Sequence, residues 1–345
     1  MAPNHPALSR RLLLGAAAGV TLTAATAAGT GAAYGASRPS GTTMPAGNTR
    51  PAGTTTPYGT SRPAGTGGDW PAEFPLPDGW LPEGITIGSR PYAYMGSRVH
   101  GAILRADLRT GALKVIRAGA LGRASIGLKL DRDGLLYVAG GAGGTASVID
   151  SRTGALVATH RLTSPAGHFI NDTILLGRSA WFTDSNEAVL YAVPRGRSGA
   201  VRALPLTGDW VQTPHVYNAN GIVDTPDGRG VIVVNSIPGR LYHVDVRTGH
   251  ATEIALRGAA DVFNGDGLVR VGHTLYVVRN RDNLVAVFRL DRAMRTATLH
   301  HTITDPRFDV PTTAARHGNR LYLVNARFTS PQEPDTTFNA VAVTL

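Results

Sequence analysis

Two carboxylates and two carboxamides recur at near-even intervals through this 345-residue chain: Glu83, Asn171, Asn220 and Asp266. Singly none carries weight, because Asp and Asn commonly cap turns and strand starts. Their register carries more. Each stands first in one of six short units that open Glu83-Gly84-Ile85, Ile126-Gly127-Leu128, Asn171-Asp172-Thr173, Asn220-Gly221-Ile222, Asp266-Gly267-Leu268 and Thr312-Thr313-Ala314. The spacings between these starts are 43, 45, 49, 46 and 46 residues. If the six starts lie at one height around one axis, two acids and two amides converge there. A site of oxygen ligands, with no thiolate and no imidazole, selects Ca²⁺ or another hard divalent cation over zinc or copper. Ca²⁺ takes six to eight oxygens, so water or a small-molecule substrate would fill the remaining positions, where hydrolysis can be assisted. In that chemistry Asp266 is the expected general base or nucleophile, Asn171 and Asn220 orient ion and substrate, and Glu83 supplies charge.

The elements that must position these residues are short strands. Leu135–Ala139, Val231–Val234, Thr274–Val278 and Leu321–Val324 read as buried β-strands, and no helical period competes with them. Turn pairs adjoin them at Asp133-Gly134, Asp227-Gly228 and Gly318-Asn319. A second turn, Arg-Thr-Gly preceded by Asp, occurs three times, after Asp107, Asp150 and Asp245. A period in the forties with about four strands per unit predicts an all-β, six-bladed β-propeller with four-stranded blades. The sixth unit is short of strands, so the region around Glu73–Trp80 is expected to supply its fourth strand and close the ring. A pair of β-sandwiches is the rival fold, and it gives no reason for so even a period.

The remaining chain sets the context. Ser9-Arg10-Arg11-Leu12 opens a weakly apolar Ala/Gly/Thr run to Ala36, the pattern of a twin-arginine export signal over residues 1–36. Residues 37–70 read as a Gly/Thr/Pro/Arg linker and 71–345 as the propeller. The chain is therefore expected outside the cytoplasm, as a monomer, with no stable membrane insertion once the signal is cleaved. There is no cysteine, which excludes disulfides and a lipoprotein anchor. The net charge of +10 is half explained by five leader and linker arginines, and no basic run remains, so nucleic acid is not an expected partner.

The chain resembles the SMP-30/gluconolactonase/LRE-like superfamily, which includes calcium-dependent phosphotriesterases and lactonases. The resemblance rests on Pro82-Glu83-Gly84, Phe169-Ile170-Asn171-Asp172, Asn220-Gly221-Ile222, Gly265-Asp266-Gly267, Val310-Pro311-Thr312-Thr313 and Leu321-Tyr322-Leu323-Val324-Asn325-Ala326-Arg327-Phe328. It implies that Glu83, Asn171, Asn220 and Asp266 hold a Ca²⁺ ion at the channel mouth. The sugar-lactonase branch has an arginine two residues before the first asparagine. Phe169 stands there in this chain, which disfavours a sugar acid and points to a more apolar ligand. His168, Phe169, His215, Tyr217 and Thr312 are candidates for the substrate pocket. One other reading stays open, a non-catalytic binding or scaffold propeller with a structural calcium site; a metal-free lyase or synthase is disfavoured by the four metal-type ligands. No Gly-x-Ser-x-Gly motif is present, and the sequence suggests no His–Asp pair.

Overall fold

The computed structural model describes residues 70–196 and 199–345. The predicted leader and nearly all of the predicted linker lie outside these residues. Trp70, the last residue assigned to the linker, already stacks on His317 at 5.4 Å between ring centroids.

Six sheets, each built on four antiparallel strands, follow one another and form a six-bladed propeller. The innermost strands are Pro82–Ile87, Leu128–Leu130, Ile170–Leu176, Ala219–Asp224, Gly265–Val271 and Pro311–His317. Each therefore contains or directly follows the unit start read from the sequence. The repeated Arg-Thr-Gly turn has a mechanism. The Asp side chains accept from the backbone two residues on, at 2.9 Å for Asp107–Arg109, 3.0 Å for Asp150–Arg152 and 2.7 Å for Asp245–Arg247. Each thus closes an Asx turn.

Blades 4 and 5 depart from the four-strand expectation. Thr207–Gly208 pairs in parallel with the outer strand His250–Glu253, and Ala255–Arg257 pairs in parallel with Thr296–Thr304. The segments that lead into the following strands thus satisfy outer edges that would otherwise be open.

The sixth blade closes as expected. Glu73–Leu76 pairs antiparallel with Phe338–Thr344, in register Phe74↔Ala340. The apolar reason is local. Phe74, Ile85, Met95, Leu104, Tyr322, Val324 and Phe338 form one buried cluster at the seam between the last blade and the first. Phe74 lies 5.9 Å from Tyr322, centroid to centroid. Phe74→Ala leaves a hole in that seam and should cost about 3–5 kcal/mol. The expected outcome in thermal denaturation is a Tm lower by about 10 °C; a drop of under about 2 °C would show that this strand does not hold the ring shut.

Candidate functional site at the channel mouth

Five of the six inner strands slip register at the unit start. The ladder with the second strand shifts between Pro82 and Ile85, Ile170 and Thr173, Ala219 and Ile222, Gly265 and Leu268, and Pro311 and Ala314. Such bulges release a residue from the ladder and re-aim its side chain. The residues so released are Glu83, Asn171, Asn220, Asp266 and Thr312, each with its successor. Crowding at the hub explains why the successor is glycine in three of these five. A Cβ on Gly84 would lie 2.1 Å from the Ile126 carbonyl oxygen, and one on Gly221 would lie 2.2 Å from that of Asp266. Only glycine lets neighbouring inner strands approach this closely.

Glu83, Asn171, Asn220 and Asp266 line a single cavity of about 690 Å³, and each is nearly buried. The carboxamides are oriented by serines one residue beyond the second strand. Asn171 Nδ2 donates to Ser185 Oγ at 2.8 Å, and Ser185 Oγ in turn donates to the Ala219 carbonyl at 2.7 Å. Asn220 Nδ2 donates to Ser236 Oγ at 3.2 Å, and Ser236 donates to the Gly265 carbonyl. Each serine proton is committed, so the serine can only accept. That fixes the amide nitrogen toward the serine and leaves the amide Oδ1 without a protein donor among the described residues. Asn280 holds the corresponding place in blade 5, donating from Nδ2 to Asp266 Oδ2 at 2.7 Å.

The electrostatics fit a cation. Burial pushes the Glu83 carboxyl well above its usual range, and the charges of Asp266 and Asp172 add to the rise against the smaller opposing pull of Arg98 and Lys129. Burial also pushes Asp266 up to about 8, against the opposing pull of the Asn280 hydrogen bond. Glu83 has no ion-pair partner among the described residues. No group of three or more His, Cys, Asp or Glu side chains among the described residues is placed to hold a metal ion; the donor set here mixes two carboxylates with two carboxamide oxygens. Hard oxygen donors with excess negative charge suit Ca²⁺ or Mg²⁺.

The other candidates divide. Phe169 and Tyr217 line the cavity and pack on each other, centroids 5.0 Å apart. His168, His215 and Thr312 are not among the cavity-lining residues. Thr312 is fully buried, and its hydroxyl donates to the Glu83 carbonyl at 2.6 Å, joining the last inner strand to the first. His215 sits in a left-handed turn, φ 62°. His168 is tied on both sides: Nδ1 to Asp184 Oδ2 at 2.6 Å and Nε2 to Thr163 Oγ1 at 2.9 Å. The His–Asp pair that the sequence did not suggest therefore exists, because the hairpin sets Ile170 opposite Asp184. Asp184 Oδ1 also accepts from the Phe169 backbone N–H at 3.0 Å. The pair thus anchors the loop that presents Phe169.

Several residues escaped the sequence reading. Asp172 occupies the place that glycine holds in four other blades. Its Oδ2 accepts from Ile222 N at 3.3 Å, and Lys129 Nζ lies 4.0 Å from its Oδ1, so it bridges both neighbouring blades. Ser185, Ser236 and Asn280 share a register that was readable: each is the first residue after its blade's second strand.

No protein-family model matches the chain, and no curated protein matches it. Solved structures similar to it share the fold. The Malassezia sympodialis allergen Mala s 1 is 16% identical with a TM-score of 0.63, covering 79% of this chain and 96% of its own. The calcium-binding protein regucalcin from Agrobacterium tumefaciens is 21% identical with a TM-score of 0.56, covering 80% and 95%. Luciferin-regenerating enzyme is 14% identical with a TM-score of 0.56, covering 78% and 93%.

The raised carboxyls set a pH signature. Unfolded, Asp266 ionises near pH 4; folded and metal-free, it resists ionisation up to about 8. The penalty is absent below about pH 4, grows as pH rises, and is complete above about pH 8. Metal-free protein should therefore melt progressively lower from pH 5 to pH 8, and added Ca²⁺ should raise Tm more at pH 8 than at pH 5. Differential scanning calorimetry with and without chelator checks this. Equal Ca²⁺ shifts at both pH values, or none, would mean that these carboxylates do not share an ion.

Proposed function

We propose that this chain is a metal-dependent hydrolase of the lactonase, esterase or phosphotriesterase kind, with Ca²⁺ or another divalent cation held by Glu83, Asn171, Asn220 and Asp266. The observation that carries the reading is the pair of serine locks. They turn the Asn171 and Asn220 amide oxygens out as metal donors beside two buried carboxylates, neither of which forms an ion pair among the described residues. A scaffold has no need of that arrangement. The likeness to a calcium-binding propeller and to luciferin-regenerating enzyme supports it at the level of fold and name.

When bound, the ion would supply charge stabilisation to a carbonyl or phosphoryl oxygen. The chain's own residues do the rest. Asp266, oriented by Asn280, takes a proton from water as the hydroxide adds to the electrophilic carbon or phosphorus. The protonated carboxyl then returns that proton to the leaving oxygen. Phe169 and Tyr217 form an apolar wall that admits an acyl or aryl body and sheds water. With the export signal read from the sequence, the proposed place of action is outside the cytoplasm.

Asp266→Asn should lower turnover by about a thousandfold while leaving the circular dichroism spectrum unchanged. Retained turnover would remove Asp266 as the base. Glu83→Gln should weaken Ca²⁺ binding in calorimetric titration by about tenfold or more. A panel of aryl esters, lactones and phosphotriesters with added Ca²⁺ tests the activity itself. Metal-dependent melting with no turnover on any of them would replace the hydrolase with a structural-ion site.

A further inference from the structure

Three arginines, Arg98, Arg123 and Arg281, line the same cavity, and none of them forms an ion pair with a described carboxylate. Arg123 and Arg281 are exposed on the rim. Arg98 is partly buried, close enough to Glu83 for the two charges to act on each other, and fixed in place by neutral partners. Its Nη2 donates to Gln332 Oε1 at 2.6 Å, its guanidinium lies 5.4 Å from the centre of the Phe328 ring, and its buried Nε has no hydrogen-bond partner. Gln332 is fixed in turn, donating to the Arg327 and Ser330 carbonyls at 2.8 and 2.9 Å. Arg98 directly follows the second strand of blade 1, the register that supplies Ser185, Ser236 and Asn280 in blades 3, 4 and 5. Where those short residues hydrogen-bond the hub side chain of their own blade, Arg98 brings a positioned guanidinium whose Nη1 has no hydrogen-bond partner among the described residues.

Resting on the hydrolase reading above, we propose that the substrate is an ester or lactone with an apolar body that also carries an anionic group, carboxylate or phosphate. The geometry supplies a place for each part. The reacting carbonyl goes to the acid and amide residues at the hub. The body lies against Phe169, Val216, Tyr217 and Ile237. The anion lies in the fork of Arg98, with Arg123 and Arg281 drawing it in over the rim. A guanidinium fork pairs in bidentate fashion with planar or tetrahedral oxyanions, and more strongly where water is thinned. The acidic floor fixes which end carries the anion: Glu83 and Asp266 would repel it at the hub, and the arginines attract it at the rim.

The test compares p-nitrophenyl hexanoate with the p-nitrophenyl half-ester of adipic acid, which differs by a terminal carboxylate, in the Ca²⁺-loaded full chain. The half-ester is expected to have a kcat/KM higher by about tenfold or more, with the preference shrinking as salt is added. Arg98→Gln should erase most of that preference, Arg98→Lys should restore part of it, and Arg123→Gln with Arg281→Gln should reduce it through KM. Equal or lower kcat/KM for the half-ester, or a preference untouched by all these variants, overturns the proposal. A second arm does not depend on turnover: calorimetric titration of hexanoate, hexyl phosphate and neutral hexanol into the metal-loaded protein and its arginine variants. Anion binding that the variants weaken supports the site even if no ester is turned over, in which case it is the hydrolase reading that fails. The tighter of the two anions identifies the headgroup. Anion binding that no variant weakens overturns the site.

Discussion

The constraint on which the rest depends is the confinement of Glu83, Asp172 and Asp266 within one narrow hub. Like charges buried together disfavour ionisation, and each must find a partner or stay protonated. Asp172 is supplied by Lys129 and by backbone N–H groups. Glu83 and Asp266 are not supplied to the same degree, and both are pushed upward by burial. A chain that needed only stability would place apolar side chains there, since a well-packed apolar substitute is often no less stable than a buried charge cluster. Five bulges, crowded glycines and two serine locks all hold that unfavourable arrangement in place.

The same logic explains why the hub is rigid while its chemistry stays open. Hydrogen bonds that link one blade to the next, such as Thr312 Oγ1 to the Glu83 carbonyl and Thr183 Oγ1 to the Asn220 carbonyl at 2.8 Å, fasten the backbone around the axis. Side chains that carry these links are spent on structure. Thr312 belongs to that class, and His168 is likewise spent, on anchoring its own loop, although their place in the sequence makes both look chemical. The residues left with unspent oxygens are those aimed at the cavity.

Much of the fold was legible because a propeller repeats. The even spacing of the six unit starts gave the blade count, and the missing strand in the last unit pointed to the N-terminal strand at Glu73–Leu76. The parallel fifth strands of blades 4 and 5 were not legible, because Thr207–Gly208 and Ala255–Arg257 are too short for a periodic signal and pair with strands far along the chain. At the site, the repeat register placed Glu83, Asn171, Asn220 and Asp266 on one cavity. What it could not give was contact between residues in different registers. His168 meets Asp184 only because a hairpin folds back, and Arg98 meets Gln332 across 234 residues. A second comparison, of the residues that directly follow each blade's second strand, would have found Ser185, Ser236, Asn280 and Arg98.

The strand that closes the ring has a temporal consequence. Glu73 is bonded to Asn339, 266 residues later. Glu73–Leu76 is the first of the described strands to leave the ribosome, yet its partner Phe338–Thr344 is the last. At ordinary elongation rates of about 5–20 residues per second, it waits on the order of tens of seconds, with Phe74 uncovered. The nascent chain is thus an open arc with two sticky rims, and its greatest hazard during synthesis is another arc in the same condition.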